Sequence, residues 1–319
     1  MDVKALLQLL RTMYRVRLFE EKIEFLFKRG KLGGTVHLCI GQEACAAGIC
    51  AALGDGDVVS GTHRGHGHAI AKGLALDRLF AELMGKRDGY CKGKGGTQHV
   101  ASFAHGFLGT NGITGGGIPI ATGAALAIAH RGQPNIAVTF FGDGAVNQGV
   151  FHESLNFASI WNLPVLYVCE NNLYAMSART DQLLAAESIA ARARAYRIES
   201  VAVDGMDVLE VYRAADAAVR QMRRAPRPYF IECRTYRYAG HSKSDVRKYR
   251  TRDEEQQWQD RDPIRAFTAR LVDEGTCGTD EIESVRAEVA EEVEKAVEFA
   301  LASPENDMTE LFRDVYAHE

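Results

Sequence analysis

The 319-residue sequence lacks the marks of several large protein classes. It has no apolar run near the roughly 18 residues that a membrane-spanning helix needs. Its N-terminus mixes charges with apolar residues, unlike a secretory signal peptide. The formal net charge is −4, which gives no sign of a nucleic-acid partner. These absences predict a globular protein of the cytoplasm, with no membrane or nucleic-acid partner.

Cysteine pairing is also missing from the sequence. The seven cysteines include no C-x-x-C pair and are odd in number, which disfavours a disulfide scaffold or a structural zinc site. The chain contains neither G-x-x-x-x-G-K-[ST] nor a strand-linked G-x-G-x-x-G. Common nucleotide-binding enzymes are therefore disfavoured.

A regular alternation of apolar and amphipathic segments is present instead. Such strands, separated by helices, predict a parallel sheet with helices on both faces, and so an α/β fold. Strands are predicted at 58–60, 136–141, 165–169, 199–203 and 229–233, and helices at 119–130, 147–161, 188–196 and 207–224.

Helices are also expected on either side of this alternation. Asp2 is expected to cap a first helix that runs to about Lys28, and residues 68–84 are predicted to form one helix. The C-terminal part predicts helices near 253–260, 263–273 and 279–302. We expect one domain over residues 1–319, comprising an N-terminal helix (1–30), an α/β core (31–236), a mobile loop (237–252) and a helical extension (253–319).

A glycine-dense segment at 85–117 shows no periodicity. A loop of this length is uncommon and is usually functional.

Asp143 stands between two glycines at the predicted end of a strand, in the stretch FFGDGAVNQG (140–149). Ligands of open α/β sheets bind at the carboxyl ends of the strands, and the helix that follows directs N–H groups there, which suits phosphate. A carboxylate would repel a phosphate unless a cation lies between them, and Mg²⁺ fits that place. Asn171 and Asn172 end the next strand and offer a neutral oxygen ligand to the same ion.

Other interpretations of these motifs remain open. Gly-Asp-Gly alone is more often a turn than a metal ligand, and it is the pairing with Asn-Asn that favours the metal. The stretch HRGHGH brings His63, His66 and His68 close together, as in some zinc sites. No fourth ligand follows at a suitable spacing, so zinc is disfavoured.

The motifs together resemble one known family. GDG followed about 30 residues later by NN looks like the thiamine diphosphate fingerprint. Nearly the whole chain resembles the α subunit of the decarboxylating component of 2-oxo acid and acetoin dehydrogenase complexes, in particular its acetoin branch. The matching stretches are HLCIGQEA (37–44), HRGHGHAIAKG (63–73), GKGGTQH (93–99), NGITGGGIPIATGAALA (111–127), FFGDGAVNQG (140–149), NLPVLYVCENNLY (162–174), VDGMD (203–207) and RTYRYAGHSKSD (234–245).

The resemblance implies a role for each matching residue. Asp143, Asn172 and the backbone carbonyl of Tyr174 resemble the Mg²⁺ ligands. The remaining implied cofactor contacts are Gly142, Gly144, Ala145 and Arg64 at the diphosphate, His63 where many relatives have tyrosine, Gly112 and Thr114 at the aminopyrimidine ring, and His241 near the diphosphate. His37 resembles an active-site histidine, and His241 resembles a loop histidine at the mouth of the active-site channel. His66 is expected to orient the site through hydrogen bonds.

The resemblance also implies a reaction and partners. The cofactor would cleave acetoin or decarboxylate pyruvate, and a lipoyl-bearing acyltransferase would accept the acyl unit. The glutamate that acts on the aminopyrimidine ring belongs to a second module. The roughly 80 residues after the sheet cannot build such a module, so a β subunit is expected, in an α₂β₂ assembly. The alternatives are a branched-chain 2-oxo acid enzyme, the N-terminal half of a split transketolase and a non-catalytic homologue.

Overall fold

The fold centres on a six-stranded parallel sheet. The computed structural model describes residues 1–242 and 244–315. The strands lie in the order β2-β1-β3-β4-β8-β7, and every pair is parallel. The strands are β1 (Val58–Ser60), β2 (Phe107–Gly109), β3 (Ala137–Gly142), β4 (Val165–Asn171), β7 (Glu199–Asp204) and β8 (Tyr229–Arg234); β5 (Tyr174–Ala175) and β6 (Ala178–Arg179) form a separate small ribbon.

Helices cover both faces of the sheet. One apolar cluster joins the sheet to α1, α2, α3, α4, α9 and α12, and a second joins it to α5, α6 and α8. Both faces being buried explains why β3 and β4 read as continuous apolar runs. The helices are α1 (Val3–Lys28), α2 (Glu43–Ala51), α3 (His66–Ala71), α4 (Leu76–Leu83), α5 (Gly117–His130), α6 (Gly149–Ile160), α7 (Thr180–Leu183), α8 (Ile189–Arg194), α9 (Val208–Arg224), α10 (Arg252–Asp260), α11 (Pro263–Asp273) and α12 (Thr279–Ala302).

The α/β architecture predicted from the sequence is confirmed; α2, α7 and the β5–β6 ribbon were not predicted, and two of the predicted segments are exceptions. The single helix predicted at 68–84 is wrong. The chain leaves α3 at Ala71 and turns through Gly73 at φ +105°, a conformation that a helix cannot hold, before α4 begins. The second exception is β2, which lies inside the glycine-rich segment that was predicted to be loop. Its three residues carry no periodic signal, and it forms by pairing with β1.

The strand order places a cleft at one point of the sheet. The chain runs from β1 to β2 on one side, and then returns to β3 on the other side of β1. This reversal is a topological switch point, where the connections diverge and leave a crevice at the carboxyl ends of the strands. The segments that follow β1, β3 and β4 all enter that crevice.

The segment at 237–252, which was expected to be a mobile loop, packs on the molecule beside the crevice. The carboxylate of Asp245 accepts hydrogen bonds from the backbone N–H groups of His241 at 2.6 Å and Arg247 at 2.8 Å. Arg250 lies over the rings of three tyrosines, at 4.7 Å from Tyr174, 4.8 Å from Tyr236 and 5.3 Å from Tyr249. The mobility of this segment without cofactor stays a prediction.

Within residues 1–242 and 244–315, no helix has the length and apolar character that crossing a membrane requires.

Candidate cofactor site

The crevice at the switch point is a cleft with about 880 Å³ of empty space, part of it open to solvent. Five parts of the chain converge on it: the turn after β1, the start of α5, the turn after β3, the segment after β4, and the start of the 237–252 segment. Its lining includes Thr62, His63, Arg64, Asn111, Thr114, Gly115, Gly142, Asp143, Gly144, Ala145, Asn172, Tyr174, Met176, Arg237 and His241.

Asp143 occupies the position that the sequence predicts, directly after β3. One of its oxygens accepts a hydrogen bond from the Gly144 N–H at 3.0 Å, and the Thr180 hydroxyl donates to the other. Burial nevertheless raises the pKa of the Asp143 carboxyl, so desolvation outweighs these two bonds. Asp143 is the only acid among the described residues that line the cleft. A cation bound here would restore the stabilisation that the carboxylate loses by burial.

The structure separates the two asparagines that follow one another at the end of β4. Asn171 turns away from the cleft, and its amide donates to Glu232 at 2.8 Å. Asn172 lines the cleft, and its amide nitrogen donates to Gln42 at 3.2 Å. This leaves the side-chain oxygen of Asn172 as the acceptor, 3.4 Å from the Tyr174 N–H. Of the Asn-Asn pair, Asn172 is therefore the available oxygen ligand.

Two buried guanidinium groups face the same space. Arg64 donates to the carbonyl oxygens of Leu38 at 3.1 Å and His241 at 2.6 Å, and burial and the nearby Arg237 lower its pKa. Arg237 donates to the carbonyl of Met176 at 3.3 Å, and burial, with the charge of Arg250, lowers its pKa. Two desolvated cations that line the same cleft favour the binding of an anion there, and a diphosphate suits the fork geometry of arginine.

Of the three predicted histidines beside these arginines, His63 and His241 line the cleft, whereas His37 is buried against both of them and is not among the described lining residues. The ring of His37 lies 4.9 Å from that of His63 and 5.2 Å from that of His241. Burial, and then the charge of Arg64, lowers the pKa of His37 to about 4, of His63 to about 2 and of His241 to about 4. All three rings are therefore neutral at pH 7.

The tautomers of two of these rings follow from their partners. The amide of Gln98 lies 3.0 Å from His37 Nδ1, and the Arg64 guanidinium lies 3.1 Å from His241 Nδ1. Amide and guanidinium nitrogens are donors, so both Nδ1 atoms accept and each neutral ring carries its hydrogen on Nε2. No sequence pattern indicated Gln98 as the partner of His37.

The same three histidines are the only metal-sized group of three or more His, Cys, Asp or Glu side chains found within the described residues, with ligand nitrogens within 4.8 Å of one another. A metal there would have to displace the Nε2 hydrogens and bind beside two guanidiniums. The arrangement therefore suits neutral hydrogen-bond donors better than it suits a cation.

The lowered histidine pKa values make stability depend on pH. Between pH 6.5 and the lowered values, the unfolded chain binds protons that the folded chain does not, so stability falls as the pH falls through this window. The substitution His63→Tyr removes one such group. It is expected to reduce the loss of unfolding free energy between pH 7 and pH 5 by about 2 kcal/mol. Urea titrations at the two pH values measure this loss.

His130, exposed at the end of α5, provides the matched control. His130→Tyr is expected to keep the pH dependence of the unmodified protein. An equal loss of stability in the His63→Tyr protein and the unmodified protein would contradict the prediction.

His66 lies behind the cleft rather than in its lining. Its Nδ1 is 3.2 Å from a Glu20 carboxylate oxygen, and its Nε2 is 2.7 Å from the Thr97 hydroxyl. His68 in turn lies 3.1 Å from Glu170. His66 and His68 thus have different partners, and His63 lines the cleft, so this arrangement does not favour a shared zinc ion. His66 can orient its neighbours only through Thr97 and Glu20.

The glycines of the cleft serve different purposes. A Cβ at Gly142 would meet nothing within 4 Å, so this glycine leaves the cleft open. A Cβ at Gly144 would lie 3.0 Å from the Ala175 Cβ, which makes a side chain there costly. Gly112 and Thr114 are exposed at the outer edge, and Thr114 reaches the lining whereas Gly112 lies just beyond it.

These features define a class of protein: an α/β protein with a cofactor cleft that combines a buried acid, an amide oxygen and two buried arginines at the switch point of its sheet. The residues fit thiamine diphosphate with its metal, because two desolvated arginines line the cleft and burial disfavours the charge of Asp143, the one acid among the described lining residues, unless a cation binds there.

The comparison with known proteins identifies the particular family. The family model of the dehydrogenase E1 component matches residues 11–309. The chain is 47% identical to the α subunit of acetoin:2,6-dichlorophenolindophenol oxidoreductase from Bacillus subtilis, over 95% of this chain and 91% of that protein. It is 42% identical to the protein of the same name from Cupriavidus necator, over 99% and 95%. It is 43% identical to the pyruvate dehydrogenase E1 component α subunit of Rhizobium meliloti, over 98% and 89%.

The chain therefore belongs to the dehydrogenase E1 component family, whose members are thiamine diphosphate-dependent oxidoreductases.

Proposed function

We propose that this chain is the α subunit of a cytoplasmic E1-type dehydrogenase that cleaves acetoin or decarboxylates pyruvate. The single observation that carries the proposal is the cleft itself, in which the buried Asp143 faces the buried Arg64 and Arg237. The relatives named above support the substrate class. Bound thiamine diphosphate supplies the carbanion chemistry that breaks the bond beside the substrate carbonyl.

The chain's own residues hold the cofactor. Arg64 and Arg237 pair with the diphosphate, and Gly142, Gly144 and Ala145 let the backbone approach it. Asp143, the Asn172 side-chain oxygen and the Tyr174 carbonyl would hold Mg²⁺, whose charge would offset that of the carboxylate beside the diphosphate. The hydroxyl of Tyr174 is not needed for this role, since it is bound to Glu254 at 2.8 Å.

The histidines act next to the bound diphosphate. Because His37 and His241 are neutral and carry hydrogen on Nε2, they can donate hydrogen bonds to substrate oxygen atoms without adding charge. A diphosphate at Arg64 would offset the guanidinium charge that now depresses their pKa values. Gly112 and Thr114 contact the aminopyrimidine ring at the exposed edge of the cleft.

A β subunit completes the site from that edge. Ile113 stands 71% exposed there, and α5 and α6, which pack side by side, present an apolar face beyond it. The exposed members of this α5–α6 face are Ile120, Leu126, Phe157, Ile160 and Trp161. Several large exposed apolar side chains on two packed helices favour a protein interface there. We propose an α₂β₂ assembly, in which the β subunit supplies the glutamate at the aminopyrimidine ring and a lipoyl-bearing acyltransferase takes the acyl unit.

The substrate is tested by reduction of an artificial electron-accepting dye. With the reconstituted α and β chains, thiamine diphosphate and Mg²⁺, acetoin is expected to give a kcat/KM at least about 10-fold above that of a branched 2-oxo acid, with pyruvate between them or equal to acetoin. A preference for the branched 2-oxo acid would overturn the substrate assignment. Transfer of a ketose phosphate fragment by the pair would instead support the split transketolase, and absence of cofactor binding would support a non-catalytic homologue.

A further inference from the structure

Glu82, in the last turn of α4, is completely buried and accepts four backbone hydrogen bonds from the glycine-rich segment that follows it. One carboxylate oxygen accepts the N–H groups of Cys91 at 2.7 Å and Gly93 at 2.9 Å. The other accepts those of Gly95 at 2.8 Å and Gly96 at 3.1 Å. Gly93 and Gly96 have φ of +71° and +57°, which turns their N–H groups inward. We call residues 91–96 and this carboxylate the Glu82 nest.

The chain passes directly from the Glu82 nest to the histidines of the site. Thr97 places its hydroxyl 2.7 Å from His66, and Gln98 places its amide 3.0 Å from His37 Nδ1. A Cβ on Gly112 would lie only 2.9 Å from the side-chain oxygen of Gln98, so Gln98 also packs against the edge of the cleft. The position of the 91–96 backbone therefore sets where both side chains point.

The chemistry of the nest requires a carboxylate. A glutamine would offer one acceptor oxygen and one NH₂ group, so two of the four backbone N–H groups would face a donor instead of an acceptor. Each buried donor left without a partner destabilises the segment. The same shape without the charge would therefore loosen residues 91–96.

We propose that Glu82 is a positioning residue for the reaction. By holding the 91–96 backbone it keeps Gln98 against His37, and so fixes the tautomer in which His37 carries its hydrogen on Nε2, next to the cleft-lining His63 and His241. The inference rests on the proposed function, because only there does this hydrogen meet a substrate.

The test compares Glu82→Gln with Gln98→Ala and the double variant, each assembled with the β subunit. Each single variant is expected to lower kcat by about 10-fold, while the affinity for thiamine diphosphate changes by less than about 3-fold. The double variant is expected to be no slower than the worse single variant, since both changes break one connection. Amide hydrogen exchange of residues 93–96 is expected to quicken about 10-fold or more in Glu82→Gln and to stay slow in Gln98→Ala.

Glu305→Gln is the matched control, because Glu305 pairs with Lys86 at the exposed start of the same segment. It is expected to leave kcat and exchange unchanged. The proposal is overturned if the kcat losses of the two single variants multiply in the double variant. It is also overturned if the amide hydrogen exchange of residues 93–96 is unchanged in Glu82→Gln. If Glu82→Gln fails to assemble, a full kcat in Gln98→Ala overturns it alone. If the unmodified pair has no activity on any substrate, the proposed function fails, and the exchange measurement then decides separately whether the nest holds the loop.

Discussion

Replacing Asp143 with alanine is expected to abolish Mg²⁺-dependent binding of thiamine diphosphate and to lower the activity of the assembled protein by about a thousand-fold or more. Asp143 is the only acid among the described cleft-lining residues, so no other carboxylate there can replace it as a metal ligand. Without the metal, nothing offsets repulsion among the diphosphate oxygens except the two arginines. Calorimetric titration with cofactor measures the loss directly.

The same substitution is expected to leave the fold intact. Burial raises the pKa of the Asp143 carboxyl, so the folded protein without cofactor gains nothing from its charge, and thermal unfolding of the cofactor-free protein should occur at an equal or higher temperature. Asp181→Ala provides the matched control. Asp181 is 62% exposed, pairs with Arg179, and directly follows the Thr180 that binds Asp143. Cofactor affinity retained in Asp143→Ala would contradict the assigned role.

The purified chain alone is expected to show no turnover, and activity is expected to appear when the β subunit is added. Gly112 and Thr114 are exposed at the edge of the cleft, and Asp143, the one acid among its described lining residues, lies at the end proposed for the diphosphate. No acid among the described lining residues can therefore serve the aminopyrimidine ring. Dye reduction across a titration of β into α measures the recovery, which should saturate at equal amounts of the two chains.

The proposed interface gives this prediction its control. Trp161→Glu places a charge on the α5–α6 face, where the Trp161 ring lies 5.0 Å from that of Phe157, and is expected to weaken assembly by about 100-fold or more. Phe25→Glu places the same charge on α1, which covers the other face of the sheet, at a side chain that is 46% exposed. It is expected to assemble normally. Full turnover by the α chain alone would refute the shared site.

The meeting of Asp143 and Asn172 could be predicted from the sequence because two general rules determine it. Continuous apolar runs identify β3 and β4 as buried parallel strands, and the residues that follow parallel strands emerge at the same edge. The glycines around Asp143 gave the position of the turn. Local patterns are therefore enough to predict that Asp143 and Asn172, the proposed metal ligands, line one cleft.

Other parts of the site depend on contacts that no local pattern encodes. Arg237 stands in a basic stretch that looks solvated, yet it is 1% exposed and lines the cleft. Thr180 donates to Asp143 from 37 residues away along the chain. Glu82, in α4, accepts hydrogen bonds from backbone N–H groups 9 to 14 residues later. His66 matched a family motif, but the motif could not show that both of its ring nitrogens face inward.

The central claim is that this cleft binds thiamine diphosphate through a metal held by Asp143. The most direct measurement is a calorimetric titration of the assembled α and β chains with thiamine diphosphate, performed once with Mg²⁺ and once with a chelator. The account predicts saturable binding at one cofactor per αβ unit with Mg²⁺, and a loss of affinity of at least about 100-fold with the chelator. Equal affinity under both conditions would contradict it.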